Sequence, residues 1–213
     1  MATYKKGILG AFSGSVGPVV GSSYRGKKVM RSKPEKTTKP PTPAQLLQRA
    51  KFAVAMQFLN PAKELLNTYY GTPEGSKSRY NMAVSYHLTE VLFVVDDAWE
   101  IRYGQVMYAK GSLLPADNLQ CSSGGTHSLQ LTWNNNAAQA GCKPTDQLMI
   151  VVFEPEAKEY AFFMKVASRS EAEVSLTLSP QWSGKNVHVY GFMAAENGKG
   201  NSSSLYLGEV VVS

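Results

Sequence analysis

The sequence predicts a mainly β chain with a short helical segment, whose C-terminal half forms a seven-stranded antiparallel sandwich of the immunoglobulin or fibronectin kind. Three observations predict it. After Trp99, short apolar and polar alternations recur, clearest at Leu129, Leu131 and Trp133 and at Val174, Leu176 and Leu178, as a sheet with one buried face requires. Gly, Pro, Asn and Ser turns separate these runs. Ahead of them lies a stretch with helix start signals, and ahead of that an opening too rich in glycine and proline to be helical.

Taken in order, the opening has glycines at 7, 10, 14, 17, 21 and 26 between short apolar pairs, a pattern that allows close backbone packing. Val19 to Tyr24 and Lys28 to Ser32 flank Arg25, Gly26 and Lys27, which predicts a β-hairpin with Gly26 at positive φ. Lys33 to Pro41 holds three prolines and three lysines and reads as an extended linker or clamp arm. Thr42 and Gln45 then form a capping box with Pro43 at the first helical position. Leu46, Ala50, Ala53, Val54 and Phe58 place an apolar stripe on the helix that follows, until Pro61 ends or kinks it. A shorter helix is expected through Leu66, and another over Ser78 to Thr89, with Tyr80, Val84, His87 and Leu88 on its packing face. Strands are expected near 106–113, 128–133, 148–154, 159–166, 172–178, 187–194 and 205–212, with Trp133 in the core. The chain thus divides into an arm over 1–41, a helical segment over 42–104 and a sandwich over 105–213.

At 213 residues, 43% of them apolar, the chain can bury a core without staples. Cys121 and Cys142 are its two cysteines, which excludes a disulfide-rich scaffold. The strand assignment sets them toward opposite ends of a sandwich about 20 Å tall, too far apart to bridge. No apolar run approaches the roughly 18 residues of a spanning helix, so no membrane span is expected. Lys5 and Lys6 ahead of Ile8, Leu9, Ala11 and Phe12 outline a secretory signal that glycines and serines dilute, favouring a cytoplasmic or virion-associated location over secretion. The net charge of +6 is unevenly placed: up to Lys51 there are eleven basic residues and one acid, a surplus of ten, while the remainder has eleven basic and fifteen acidic residues, a net −4. Such asymmetry suits an acidic partner.

The runs GSSYRGKKVMRSKP, TPAQLLQRAKFAVAMQFLNP and NSSSLYLGEVVV resemble a large family of Bacteroidota proteins known as a domain of unknown function. The resemblance spans nearly the whole chain. That family's glycine-rich opening, Arg-Ser-x-Pro step and Thr-Pro-x-Gln-x-x-x-Arg helix start fall here on Arg31 to Pro34 and on Thr42, Pro43, Gln45 and Arg49. It implies no activity, and the loose similarity of its opening to tape-like and capsid-associated phage proteins implies a phage or surface-assembly origin.

Gly21 to Lys28 matches a phosphate-binding loop except that Lys28 stands where a Ser or Thr must hold magnesium, and the residues after it read as extended rather than helical. Nucleotide hydrolysis is not expected. His87, His127 and His188 fall in three different elements without metal-ligand spacing. There is no Gly-x-Ser-x-Gly elbow, and neither cysteine has a base in its sequence context. Asp96, Asp97 and Glu100 form the one dense acid cluster, which either holds calcium or caps the turn before Trp99; the turn is favoured. No enzyme, cofactor or metal is therefore expected. The arm interleaves Tyr4, Phe12 and Tyr24 with Lys5, Lys6, Arg25, Lys27, Lys28 and Arg31. Its contact residues are Tyr24, Arg25, Lys27, Lys28, Arg31 and Lys33. The sequence therefore reads as a non-enzymatic structural or binding protein whose arm contacts a second copy or another protein. A nucleic-acid-binding module using the same arm is the alternative, since stacking and backbone neutralisation bind single strands.

Overall fold

The computed structural model describes residues 3–4, 10–24, 26–35, 39–73, 75, 77–96 and 98–213. The chain forms two compact units, Met1–Gln45 and Leu46–Ser213. The first holds an antiparallel meander of β1 (Thr3–Tyr4), β2 (Phe12–Val16), β3 (Val19–Tyr24) and β4 (Lys27–Ser32). Tyr24 pairs with Lys27 and Gly26 has φ +78°, the conformation a two-residue hairpin connection demands. Gly21 lies beneath Phe12: a Cβ there would sit 2.4 Å from the Phe12 carbonyl oxygen and 2.7 Å from its ring, so only glycine lets β2 and β3 close. Lys27 and Lys28 belong to a strand, and the next helix begins only at Pro43. The near match to a phosphate-binding loop therefore lacks the helix N-terminus that would face a phosphate.

Three helices, α1 (Pro43–Leu59), α2 (Lys63–Tyr69) and α3 (Arg79–Tyr86), precede the remaining strands, and all but the first turn of α1 lies in the second unit. The capping box forms as expected: the Gln45 N–H donates to Thr42 Oγ1 at 3.4 Å and the Thr42 N–H to Gln45 Oε1 at 3.1 Å. The apolar stripe of α1 is corrected. Ala55, Phe58 and Leu59 are its buried residues, whereas Leu46, Ala50 and Ala53 are exposed. At about 100° per residue those three lie roughly half a turn from Ala55 and Leu59, and Phe58 borders both faces. Ser78 caps α3 by accepting from the Asn81 N–H at 3.2 Å, and the helix widens into a π turn over His87–Val91.

Two strand assignments differ from expectation. β5 (Leu92–Val95) and β6 (Ala98–Ile101) form an additional hairpin ahead of the sandwich. Residues 106–113, expected as the first sandwich strand, make only isolated bridges, Tyr70 to Lys110 and Leu113 to Ser202. Val106, Tyr108 and Ala109 are buried there, and the Tyr108 N–H donates to Ser204 Oγ at 2.9 Å. The apolar character of this stretch comes from crossing the core. The first sandwich strand is instead β7 (Asp117–Ser123), followed by β8 (Ser128–Asn134), β9 (Gln147–Glu154), β10 (Glu159–Ser168), β11 (Glu173–Thr177), β12 (Asn186–Ala194) and β13 (Leu205–Val211). One sheet runs β11-β8-β7 and the other β10-β9-β12-β13, with every pairing antiparallel. This three-plus-four arrangement is the immunoglobulin- and fibronectin-like sandwich that the alternations predict.

Two apolar clusters lie on opposite faces of the four-stranded sheet. Between the sheets pack Leu129, Leu131, Trp133, Ile150, Val152 and Val189. Beneath the helices pack Phe58, Leu66, Met149, Val151, Phe153 and Phe192. β9 is buried on both faces, which is why Leu148 to Phe153 is an unbroken apolar run. Among the described residues no helix is long and apolar enough to cross a membrane.

His87 sits in the helical layer, 1% exposed. Its Nδ1 donates to the Ala83 carbonyl at 2.8 Å while Nε2 accepts from the Met107 N–H at 3.4 Å, a pairing that suits the neutral ring. Burial pushes its pKa down to about 4. The stability gained by keeping this ring neutral is full above the unfolded value of about 6.5 and is lost as pH falls toward 4. Urea unfolding should therefore show about 2 kcal/mol of extra destabilisation between pH 7 and pH 5 that His87→Gln lacks. Parallel pH profiles for the two proteins would show that the ring is charged in the fold.

Candidate binding surfaces

The structure gathers most of the predicted contact residues on one hairpin. Tyr24 ends β3, Lys27, Lys28 and Arg31 lie on β4, and Lys33 follows it; Arg25 lies outside the described residues. β4 is the edge of its sheet and is exposed at all six positions. Because side chains alternate across a strand, Lys27, Val29 and Arg31 share a face with Val20 and Tyr24, and Lys28 and Met30 share the other with Gly21. The basic set is thus divided between two faces. Of the interleaved aromatics, Phe12 is spent on covering Gly21, and the side chain of Tyr4 lies outside the described set.

A second surface was not anticipated. A cleft of about 300 Å³ opens between α1, β6 and the β9–β10 turn, at the small end of ligand-sized pockets. Phe58, Trp99, Tyr103, Phe153 and Tyr160 wall it. The wall is tied together by direct contacts: Phe58 meets Phe153 edge-on at 5.1 Å, and the Tyr160 hydroxyl donates to the Phe58 carbonyl at 2.8 Å while accepting from Tyr108 at 3.2 Å. Burial holds the Tyr160 phenol well above its ordinary pKa. The β9–β10 turn is wound around buried Glu154, which accepts from the Glu156 and Ala157 N–H groups at 3.0 and 2.6 Å and pairs with Lys185 at 3.7 Å. This places Lys158, at φ +58°, where its Nζ donates to Gln57 Oε1 at 3.3 Å. On the opposite wall Lys51 Nζ lies 4.5 Å from the Trp99 ring centroid, and the buried Trp99 Nε1–H has no acceptor. The cleft therefore presents aromatic contact area edged by Gln57, Glu100 and Lys158. Its walls come from three separated segments whose aromatics each read as ordinary core, so no local pattern announces it.

The other titratable residues are dispersed. His87 is in the helical layer, His127 lies between β7 and β8 at φ +52°, and His188 stacks on Tyr103 at 3.8 Å and bonds Tyr206 at 2.9 Å. Among the described residues no three His, Cys, Asp or Glu side chains are grouped to hold a metal. Asp96, at φ +47°, sits in the β5–β6 turn and Glu100 on β6, with Asp97 outside the described residues. Cys121 and Cys142 are both free, and burial pushes the Cys121 thiol up to about 12.

No curated protein matches the chain. Among solved structures, the fn3 domain of human collagen alpha-1(XX) chain is similar at 15% identity with a TM-score of 0.32, over 48% of this chain and 89% of that one. The twitchin kinase region from C. elegans is similar at 15% identity with a TM-score of 0.32, over 46% of this chain and 17% of that one. The strand order described above carries the fold assignment by itself. A family model described as a family of unknown function (DUF6266) matches residues 11–208, from just before β2 into β13, and the chain belongs to that family.

Proposed function

We propose that the protein is a non-catalytic binding protein that self-associates through its N-terminal sheet, with the sandwich as a rigid platform. The observation that carries this reading is β4, an edge strand exposed along its whole length, with Val29 38% and Met30 71% exposed. An edge strand presents unpaired N–H and C=O groups to any chain that can pair with it, and lysines on such an edge discourage indiscriminate pairing. An ordered partner for Lys27, Lys28 and Arg31 is then one that brings acids. The loose similarity of the opening to tape-like and capsid-associated phage proteins favours an assembly setting.

Deleting residues 1–41 removes nine Lys or Arg and one Glu, and leaves a chain that keeps the Thr42 cap and both apolar clusters. Sedimentation should find it folded and monomeric at concentrations where the full chain associates. An unchanged oligomeric state, together with salt-sensitive binding of single-stranded nucleic acid by the full chain alone, would transfer the arm to the nucleic-acid reading.

A further inference from the structure

We infer that the receptor for the arm is the β5–β6 hairpin of a second copy together with the aromatic cleft beside it, an inference that rests on the self-association proposed above. Among the described residues the hairpin is a two-stranded sheet in which neither strand pairs with a third. Each strand therefore has one edge without a ladder partner, the feature by which an added strand docks.

Charge selects the occupant. Residues 80–101 contain Glu90, Asp96, Asp97 and Glu100 and no Lys or Arg, so this segment alone matches the whole net −4 of the chain beyond Lys51. Glu90, Asp96 and Glu100 are exposed. β4 brings Lys27, Lys28 and Arg31 with no acid among its six residues. The cations nearest the cleft and hairpin are already engaged: Lys51 lies over Trp99, Lys158 donates to Gln57, and Arg102 lies 4.6 Å from the Phe93 ring centroid. The hairpin's own residues 92–101 carry Asp96, Asp97 and Glu100 and no Lys or Arg, while the Lys51 and Arg102 charges stand over its Trp99 and Phe93 rings.

Apolar surface complements the charge. Val94, 46% exposed, sits opposite Trp99 across the hairpin, beside the aromatic cleft, and the exposed side chains of β4 include Val29 and Met30. Main-chain pairing supplies affinity in this mode, and the charges fix partner and register. β4 and the β5–β6 hairpin belong to different compact units, and the self-association proposed above assigns the occupant to another copy. Since the two surfaces differ, two copies exchange arms, or a series of copies builds a ring or filament.

The test uses the full chain and charge exchange. In sedimentation, the basic-side variant Lys27→Glu/Lys28→Glu/Arg31→Glu and the acidic-side variant Glu90→Lys/Glu100→Lys should each be monomeric where the parent associates, and an equimolar mixture should associate again. The milder Glu90→Gln/Glu100→Gln change should weaken association at least tenfold, which guards against misfolding of the reversed variant. If both acidic-side variants associate like the parent while the arm deletion does not, the arm docks elsewhere and this inference fails with the self-association reading intact. If the arm deletion itself leaves association unchanged, or the parent is monomeric, both fail.

Discussion

Arg169→Ala should destabilise the folded protein by about 3 to 5 kcal/mol, the usual cost of removing one partner from a buried ion pair. Arg169 is fully buried. Its Nε lies 3.2 Å from Asp146 Oδ2, Nη1 donates to the Pro115 carbonyl at 3.1 Å and to Asn136 Oδ1 at 2.5 Å, and Nη2 donates to the Leu114 carbonyl at 2.9 Å. Asp146 also accepts from the Lys143 N–H at 2.9 Å. One guanidinium thus fastens three connections of the sandwich: the lead into β7, the β8–β9 loop and the β10–β11 turn. Truncation strands the Asp146 charge and several acceptors in a dry site, and stranded groups cost more than the bonds were worth. Replacing both partners, Arg169→Met with Asp146→Leu, should therefore be less destabilising than Arg169→Ala alone. Urea unfolding followed by circular dichroism measures each; a loss under about 1 kcal/mol for Arg169→Ala would mean that water reaches the site.

Trp133→Ala should cost about 3 to 5 kcal/mol as well, through a different mechanism, the emptying of a buried aromatic site. Trp133 is 5% exposed, packs in the cluster between the sheets, and donates its Nε1–H to the Arg169 carbonyl at 2.9 Å. Trp133→Phe keeps most of the contact area and should recover more than half of the loss. The indole bond ends on the same residue that holds the ion pair, so the alanine changes at 133 and 169 should combine to less than their sum. A full sum would show that the two sites are independent. A loss under about 1 kcal/mol for Trp133→Ala would place the ring at the surface.

How much of this was legible follows from where each signal resides. The Thr42 cap, the Gly26 turn and the inward positions of Leu129, Leu131 and Trp133 are encoded by neighbours a few residues apart, and the structure reproduces them. β7 escaped because Leu119 and Cys121 are its only inward-leaning apolar residues among polar ones, whereas Val106 and Tyr108 imitate a strand while crossing the core. The phase of α1 is not legible in its sequence because the helix carries apolar residues on two faces, and periodicity does not say which one meets the sheet. Arg169 sits in the polar run Ser168 to Glu171, which reads as an exposed turn. Its acceptors lie 23 to 55 residues away, and only the fold brings them to it.

The two-sided burial of the β10-β9-β12-β13 sheet bears on modularity. A sandwich whose outer faces both meet water can be cut from its chain and strung with others like beads. Here the outer face of that sheet is a floor of Met149, Val151, Phe153, Tyr190 and Phe192 under a helical roof. Severed near residue 105, the sandwich would turn that floor toward water as one contiguous apolar patch, a surface that soluble folds rarely tolerate. The helices are the third layer of the same fold, so a chain cut to keep this sandwich would have to keep its roof as well.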